Sequence, residues 1–392
     1  MSCIDDKKYK SKKEATQKNV LHHSKAKLDF YKNYLRLYLK ILSQTQYCDE
    51  IIIFDVCCGM GIYDNGEKGS AILSYDIAYK LVEEKDKQIS FYFNDKQQKN
   101  IDRIKTYIDK KEKNQKIKVN YYSIDYVEMF EEILQILKTK QNRYKTMIFI
   151  DPYGYKNINK NVIDRLMEGN KNEIVLFLPI AQMYRFSKAK EKTSEDDRLL
   201  CESLEDFLCS FFSNKEHPIR SGECKNQIEF ITHIKEAMRD ENTYSCSYHI
   251  EAEKKQYYAL FYLTKHIYGL EKAVEIKWKL DKDLGQGYNK ENRNLFFDLE
   301  IEEKKEQFFS NFKKNLSEFL KTYRNNNDIF KFSLTQEVKL SECGKILQEW
   351  YEEGRLDFIS DKRKKKTTFY LGYNYYKEGQ ILYKVRYEEN KN

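Results

Sequence analysis

The spacing of hydrophobic positions predicts a long helix near the start of the chain. From Ser24 onward, Leu28, Tyr31, Leu35 and Tyr38 recur at steps of three or four residues, with lysines between them. This spacing places the apolar side chains on one face of an amphipathic helix. We therefore expect this helix to pack on whatever core the following residues form.

Five apolar runs follow, each short enough for a strand. They are continuous rather than alternating, as expected for parallel strands that are covered on both faces. Stretches long enough for a helix separate them, and this alternation indicates a doubly wound, Rossmann-like α/β sheet. The runs are residues 50–56, 89–95, 117–125, 146–152 and 173–179.

A different pattern follows the fifth run. A charged helical stretch predicts an inserted helical segment at about 190–240. Alternation in YSCSYHIEAE is followed after a short polar turn by YYALFYLT, which predicts an antiparallel hairpin. We expect a mostly parallel sheet that ends in this hairpin.

The last hundred residues predict a second domain. Phe308, Phe312 and Leu316 share one helical face, and a later helix at about 341–352 precedes two short strands around a basic turn. This order resembles a winged helix. The predicted domains are a flexible basic N terminus at 1–20, an α/β domain at 21–290 with the helical insertion, and a helical, winged-helix-like domain at 291–392.

Composition adds modest constraints. The 70 Lys and Arg residues against 62 Asp and Glu give a net charge of +8, which permits an anionic partner without requiring one. The nine cysteines lack CxxC spacing, so we expect free thiols, a cytoplasmic protein and no metal site. We find neither a signal peptide nor a membrane-spanning run, and expect no membrane partner.

A glycine turn follows the first predicted strand. Its sequence, Asp55-x-Cys57-Cys58-Gly59-x-Gly61, lacks the GxGxxG spacing of dinucleotide-binding proteins. It looks more like the first motif of S-adenosylmethionine-dependent methyltransferases, with two cysteines in place of the usual Phe-Ala pair. Asp55, Gly59 and Gly61 are thus candidate contacts for S-adenosylmethionine beyond the strand ends. A purely structural tight turn is the alternative.

The helix after this turn is predicted to start late. The segment IYDNGEKG intervenes, and Ser70 is a suitable N-cap. Ser70 is included among the candidate cofactor contacts, and the inserted loop has three possible roles: to contact substrate, to replace the helix-terminus contact or to close the site.

Two further acids end predicted strands. Asp95 follows the second strand, where an acid commonly accepts hydrogen bonds from ribose hydroxyls, and Asp125 ends the third, near the expected adenine position. Each is a candidate cofactor contact. For each one alone, a helix cap or a solvated charge is the competing interpretation.

The fourth predicted strand ends in FIDPYGY. Asp151, Pro152 and Tyr153 resemble the D-P-P-Y motif of amino methyltransferases, with one proline missing. In that motif the acid and a proline carbonyl hold the target amine while the aromatic ring stacks on its base. A plain turn, in which Pro152 stops the strand and Gly154 relaxes the backbone, is equally open. No Pro-Cys motif supports methylation at carbon.

Several blocks together resemble the three-Cys-motif partner protein family, in order along the chain. They are HHSKAKLDFYKNYLRLYLKIL, FDVCCGMGIYDNGEKGS, FIDPYG and YYALFYLTKHIYGLEKAVEIKWKLD. The resemblance implies a class I methyltransferase-like fold and a partner protein that carries three cysteines. It also draws attention to Lys25 as a contact for phosphate or carboxylate.

A run of basic residues is predicted at the tip of the C-terminal wing. Lys362, Arg363, Lys364, Lys365 and Lys366 are candidate contacts for a nucleic-acid backbone. The alternative is a solvated hairpin turn with no ligand.

Two functions are therefore open from sequence. The leading hypothesis is a methyltransferase that uses S-adenosylmethionine to modify an amino group of a nucleic-acid base. The alternative is a non-catalytic module of the same fold that binds nucleic acid, DNA or RNA, and recruits the three-cysteine partner. A nuclease is disfavoured because no carboxylate and lysine cluster supports it.

Overall fold

The chain forms two compact units, residues 1–265 and 266–392, whereas the sequence placed the boundary near 290. Each unit has its own core of buried apolar side chains. The computed structural model describes residues 22–82, 87–141, 143–152, 154–155, 157–188, 195–252, 256–285, 287–288 and 295–389.

Seven strands of the first unit form one sheet in the order β3-β2-β1-β4-β5-β7-β6. The first five are parallel, and β7 is antiparallel to both of its neighbours. This arrangement confirms the predicted Rossmann-like, mostly parallel sheet with a terminal antiparallel hairpin. The strands are β1 Glu50–Asp55, β2 Gln88–Asn94, β3 Ile117–Tyr122, β4 Tyr144–Ile150, β5 Asn172–Leu178, β6 Tyr244–Ala252 and β7 Gln256–Thr264.

Helices cover the sheet and connect its strands. Parallel neighbours require crossover connections, and most of these contain a helix. The helices are α1 His22–Gln44, α2 Ser70–Val82, α3 Gln98–Asp109, α4 Tyr126–Lys138, α5 Lys160–Leu166, α6 Ile180–Ser187, α7 Glu195–Phe211, α8 Pro218–Ser221 and α9 Gln227–Ala237. The last three lie within the segment that the sequence assigned to a helical insertion.

The first helix packs on the sheet through aromatic rings. Tyr31 of α1 stacks on Phe149 of β4 with ring centroids 4.3 Å apart, and Phe30 stacks on Tyr248 of β6 at 5.5 Å. All four side chains are buried. Large aromatic surfaces removed from water stabilise this packing and fix which residues of α1 face the strand ends.

The second unit combines helices with a small antiparallel sheet of order β10-β11-β9. From α11 onward its main elements run helix, strand, helix, helix, strand, strand, with a one-turn helix between the last two strands. Its elements are α10 Ile267–Leu280, β8 Gly287–Tyr288, α11 Leu295–Phe319, β9 Arg324–Asn325, α12 Asn326–Thr335, α13 Leu340–Glu352, β10 Leu356–Asp361, α14 Tyr373–Lys377 and β11 Tyr383–Tyr387. Among the helices described, none is both long enough and apolar enough to span a membrane.

Candidate active site

The glycine turn lies at the carboxyl end of β1, and its two glycines differ in their surroundings. Both have positive φ, +61° at Gly59 and +75° at Gly61, a conformation that favours glycine. A Cβ at Gly61 would lie 2.5 Å from Ile104 Cγ1, whereas nothing lies within 4 Å of a Cβ at Gly59. Gly61 therefore permits close packing, and Gly59 borders open space that a ligand can occupy.

Residues at the end of β2 hold the turn in place. The Gly59 N–H donates to Asp95 Oδ2 at 3.0 Å, and Asp95 Oδ1 accepts from the Gln97 N–H and from Asn100 Nδ2, both at 2.9 Å. Asp95 is buried. With three donors already bound, this carboxylate positions the turn, and a ribose contact at Asp95 stays a prediction.

Asp55 is the unusual group of the site. It is fully buried, and neither carboxylate oxygen has a hydrogen-bond partner of normal geometry among the described residues. The pKa of Asp55 is raised to about 7, mainly by burial; the neighbouring Asp151 and Asp95 contribute to the rise, and Ser70 and Lys27 oppose it. A buried carboxyl group without partners is costly unless a ligand completes its hydrogen bonds.

The predicted acids converge on one place. Burial raises the pKa of the Cys57 thiol, and four carboxylates add to the shift: Asp151, Asp55, Asp95 and Asp125. Because the interaction between charges weakens with distance, this indicates that all four carboxylates lie in the neighbourhood of Cys57. The thiol stays protonated at neutral pH, which favours the packing role of Cys57 over a reactive one.

Asp125 lies at the same carboxyl edge of the sheet, where we call the open space beside Gly59 the crevice. It caps α4 by accepting from the Val127 N–H at 3.1 Å, and its second oxygen pairs with Lys96 at 3.0 Å. These two interactions hold the pKa of Asp125 below its usual value. The structure therefore shows Asp125 as a helix cap, and a contact between Asp125 and adenine stays a prediction.

Asp151 is paired with a lysine that the sequence analysis did not select. Lys27 of α1 donates to Asp151 Oδ2, and its ammonium lies 4.6 Å from the centroid of the Phe177 ring. Lys27 is buried and Asp151 is partly exposed. Lys27 and Tyr31 are four residues apart on the apolar face of α1, so a lysine on that face was the missed signal. Among the remaining motif residues, Pro152 is buried, and Tyr153 lies outside the described residues.

The loop between the turn and α2 folds into a small hairpin. Ile62 bridges Lys68, the Tyr63 N–H donates to the Glu67 carbonyl at 2.9 Å, and α2 begins at Ser70, as predicted. The pKa of Tyr63 is raised to about 12, mainly by burial and also by the nearby Asp151 and Asp55. The insertion therefore brings a tyrosine beside both carboxylates.

The basic turn of the second unit does not present all of its cations. Lys362, Lys364, Lys365 and Lys366 are exposed, but the Arg363 side chain is fully buried. Arg363 forms a two-pronged ion pair with Asp361 at 2.9 and 3.0 Å. Its guanidinium also lies over four aromatic rings, those of Tyr351, Phe358, Phe369 and Tyr383. The prediction that Arg363 contacts nucleic acid is therefore wrong, because ring stacking and a fixed carboxylate hold it inside the unit.

A groove of about 860 Å³ separates α13 from the segment that follows the basic turn. On the α13 side it is lined by Lys345, Glu349, Glu352 and Glu353. This face of α13 is acidic, so it does not favour phosphate groups. In the first unit, Lys25 is exposed on α1.

Comparisons with known proteins give only distant likeness. No family model matches the chain, and no curated protein matches it. The resemblance to three-Cys-motif partner proteins therefore stays a prediction from the sequence blocks.

Three of the similar solved structures are methyltransferases. A putative O-methyltransferase from Klebsiella pneumoniae is 11% identical, covers 59% of this chain and 78% of its own, and has a TM-score of 0.30. Trm1 from Pyrococcus horikoshii with S-adenosyl-L-methionine is 12% identical over 69% and 65%, with a TM-score of 0.32. TrmK from M. capricolum with S-adenosyl-homocysteine is 13% identical over 80% and 96%, with a TM-score of 0.24. At these scores the likeness does not bear on substrate or reaction.

Proposed function

We propose that the first unit is a methyltransferase that binds S-adenosylmethionine at the carboxyl edge of its sheet. The observation that carries this proposal is Asp55, a buried carboxyl group with two unpartnered oxygens beside a glycine turn that borders open space. An amine of the cofactor would complete the hydrogen bonds of Asp55. Gly59 lets the backbone of the turn come close to the cofactor. Asp95 holds the turn in place by accepting a hydrogen bond from the Gly59 N–H. When bound, the cofactor supplies an activated methyl group.

The methyl acceptor that fits best is an amino group of a nucleic-acid base. Asp151 directly follows β4 next to the crevice, and no hydrogen bond reaches its Oδ1 among the described residues, so this oxygen can accept from an amine. Lys27 binds the other oxygen and keeps the carboxylate in place. Pro152 and Tyr153 complete the motif that in amino methyltransferases holds the base.

Cofactor binding is testable by isothermal titration calorimetry with S-adenosylmethionine at pH 8.0. We expect Asp55→Asn to weaken binding about tenfold or more, because a charge-assisted hydrogen bond is lost. Asp49→Asn is the matched control, since Asp49 lies at the opposite end of β1 in a surface pair with Arg143. No binding by the wild-type protein would retire the enzyme proposal.

The acceptor is testable by transfer of a labelled methyl group to tRNA and to DNA oligonucleotides. We expect Asp151→Asn to lower transfer by about 100-fold while cofactor affinity stays within about threefold, because Asp151 orients the acceptor. Asp164→Asn, in an exposed pair with Lys160 on α5, is the control. Equal transfer by the Asp151 variant and the wild type would contradict this role.

We propose that the second unit is a winged-helix-like domain that helps to bind nucleic acid through its exposed lysines. The succession of strand, two helices and two strands from β9 to β11, with the one-turn α14 between the last two strands, and the sheet order β10-β11-β9 support this interpretation. The side of α13 that lines the groove is acidic. We therefore assign the contacts with nucleic acid to Lys362 and Lys364–Lys366.

The alternative function, a non-catalytic module that recruits a three-cysteine partner in the cytoplasm, makes a distinct prediction. It is favoured if the partner co-purifies with the chain while Asp151→Ala leaves the cellular phenotype unchanged.

A further inference from the structure

The crevice at the strand ends has an unbalanced charge. Four carboxylates follow or end β1 to β4, and two lysine ammonium groups pair with members of this group. Lys27 binds Asp151 and Lys96 binds Asp125, which leaves Asp55 and Asp95 without an ion-pair partner of their own in the described part of the chain. The four acids are Asp55, Asp95, Asp125 and Asp151.

A second, independent observation points to a ligand at this place. Besides the two oxygens of Asp55, the Tyr31 hydroxyl is buried and has no hydrogen-bond partner of normal geometry among the described residues, although Ser74 is near enough to lower its pKa. Asp55 raises the pKa of Tyr31, after the larger effect of burial, so the two groups are close. Buried polar atoms without a hydrogen-bond partner are rare unless a ligand or water supplies the missing hydrogen bond.

The groups around Asp55 reinforce its negative field. All of them except Lys27 are either acids or hydroxyl and thiol groups that are neutral near pH 7. A recess with one sign of charge and low-dielectric walls focuses the field on a bound ligand. The titratable and charged groups that face Asp55 are Lys27 and Tyr31 of α1, Cys57, Cys58 and Tyr63 of the turn and loop, Asp95 after β2 and Asp151 after β4.

We propose that this crevice selects its cofactor by charge, binding the cationic methylsulfonium form more tightly than the neutral thioether product. The proposal rests on the proposed function and adds a mechanism of product release to it. Methyl transfer joins the acceptor nitrogen to the methyl carbon and breaks the carbon–sulfur bond, whose electron pair stays on sulfur. The acceptor's proton passes to solvent, and the sulfur loses its positive charge.

A test of charge selection needs ligands that differ in charge and share their other contacts. S-adenosylmethionine and S-adenosylhomocysteine share the adenosine, the carboxylate and the ammonium, so those contacts cancel in the ratio of their affinities. Sinefungin, which carries an amine-bearing carbon in place of the methylsulfonium, restores the positive charge without the sulfur. These three ligands therefore separate charge from shape.

The test is calorimetric titration of the wild-type protein with each ligand at pH 8.0 and pH 6.0. At pH 8.0 we expect S-adenosylmethionine and sinefungin to bind about tenfold more tightly than S-adenosylhomocysteine. Asp55 has a pKa of about 7, so it is mostly ionised at pH 8.0 and mostly neutral at pH 6.0. The preference should therefore shrink at least about threefold at pH 6.0.

Two variants test whether Asp55 causes the preference for the cationic ligands. Asp55→Asn should reduce the preference at pH 8.0 and remove its pH dependence, whereas Asp49→Asn should retain both. Equal or tighter binding of S-adenosylhomocysteine at pH 8.0 would overturn the charge selection and leave the cofactor assignment standing. Failure of all three ligands to bind would overturn both.

Discussion

Asp55 ends a strand whose other core residues are apolar, and the ionised form of its carboxyl group is disfavoured there. In the ligand-free protein its oxygens have no hydrogen-bond partner of normal geometry within the described ranges, which is an energetic cost to the fold. Such costs concentrate at positions where a ligand supplies the missing interactions. At the residue scale, we therefore expect replacement of Asp55 to stabilise the ligand-free fold and to weaken ligand binding.

Stability should depend on pH through Asp55. Its pKa rises from 3.8 in a solvated state to about 7 in the fold, so the native state binds the proton more tightly. This contribution is fully present below about pH 4 and is lost as the pH rises through 7, by about 4 kcal/mol in the unfolding free energy. Denaturant unfolding of the ligand-free protein between pH 4 and 8 measures it. Asp55→Asn should flatten the profile of the unfolding free energy relative to Asp49→Asn, and identical profiles for the two variants would contradict this.

Lys27 should matter for stability more than its neighbour Lys25. Lys27→Met leaves Asp151 without its cation in a mostly buried position, and we expect a loss of about 2 kcal/mol. Lys25→Met, on the exposed face of the same helix, should change the unfolding free energy by less than about 0.5 kcal/mol. Adding Asp151→Asn to Lys27→Met should recover part of the loss. Equal effects of the two single variants in urea unfolding would refute the pairing.

At the element scale, the turn between β1 and α2 separates packing from binding. Hydrogen bonds to Asn94 and Asp95 fix its backbone, so the delayed start of α2 does not leave the turn unsupported. The inserted residues close on themselves through the Ile62–Lys68 bridge. The turn thus presents one glycine to the protein interior and the other to the crevice.

The two glycines should respond differently to alanine. Gly61→Ala meets Ile104 at 2.5 Å and a positive φ, so we expect a loss of about 3 kcal/mol in stability. Gly59→Ala meets only the backbone cost, about 1 kcal/mol, but its methyl group enters the crevice and should weaken S-adenosylmethionine binding at least about tenfold. Unfolding and calorimetric titration measure the two effects. Cofactor affinity unchanged by Gly59→Ala would place the ligand elsewhere.

At the scale of the whole molecule, the two proposed roles, cofactor binding and nucleic-acid binding, belong to two units with separate cores. The first contains the crevice, and the second contains the exposed lysines of the basic turn. The overall charge of +8 does not distinguish these roles, because acids and bases are distributed along the whole chain. Position in the fold decides which charges are available to a partner.

Nucleic-acid affinity of the full chain should depend on the exposed lysines of the turn. Lys364→Gln with Lys365→Gln should lower the slope of log K against log salt by about 1.4 for a single-stranded oligonucleotide, since each lost phosphate contact removes about 0.7. Lys304→Gln with Lys314→Gln on α11 removes the same charge from another exposed surface of this unit. Fluorescence anisotropy at several salt concentrations gives the slopes. Equal slopes for the two double variants would exclude the basic turn as the contact.

The sequence by itself determined the order of strands and helices, because continuous apolar runs as short as 50–56 and 146–152 are typical of strands that are buried on both faces of a sheet. It also determined the glycine turn and the late start of α2 at Ser70, since both are local. Pairing across the chain was decided by the tertiary structure alone. Lys27 meets Asp151 across 124 positions of the sequence, and Arg363 turns inward because aromatic rings from other elements stack on it. Burial also depends on residues distant in sequence, and for that reason only the fold decided that the Asp55 carboxyl group is buried.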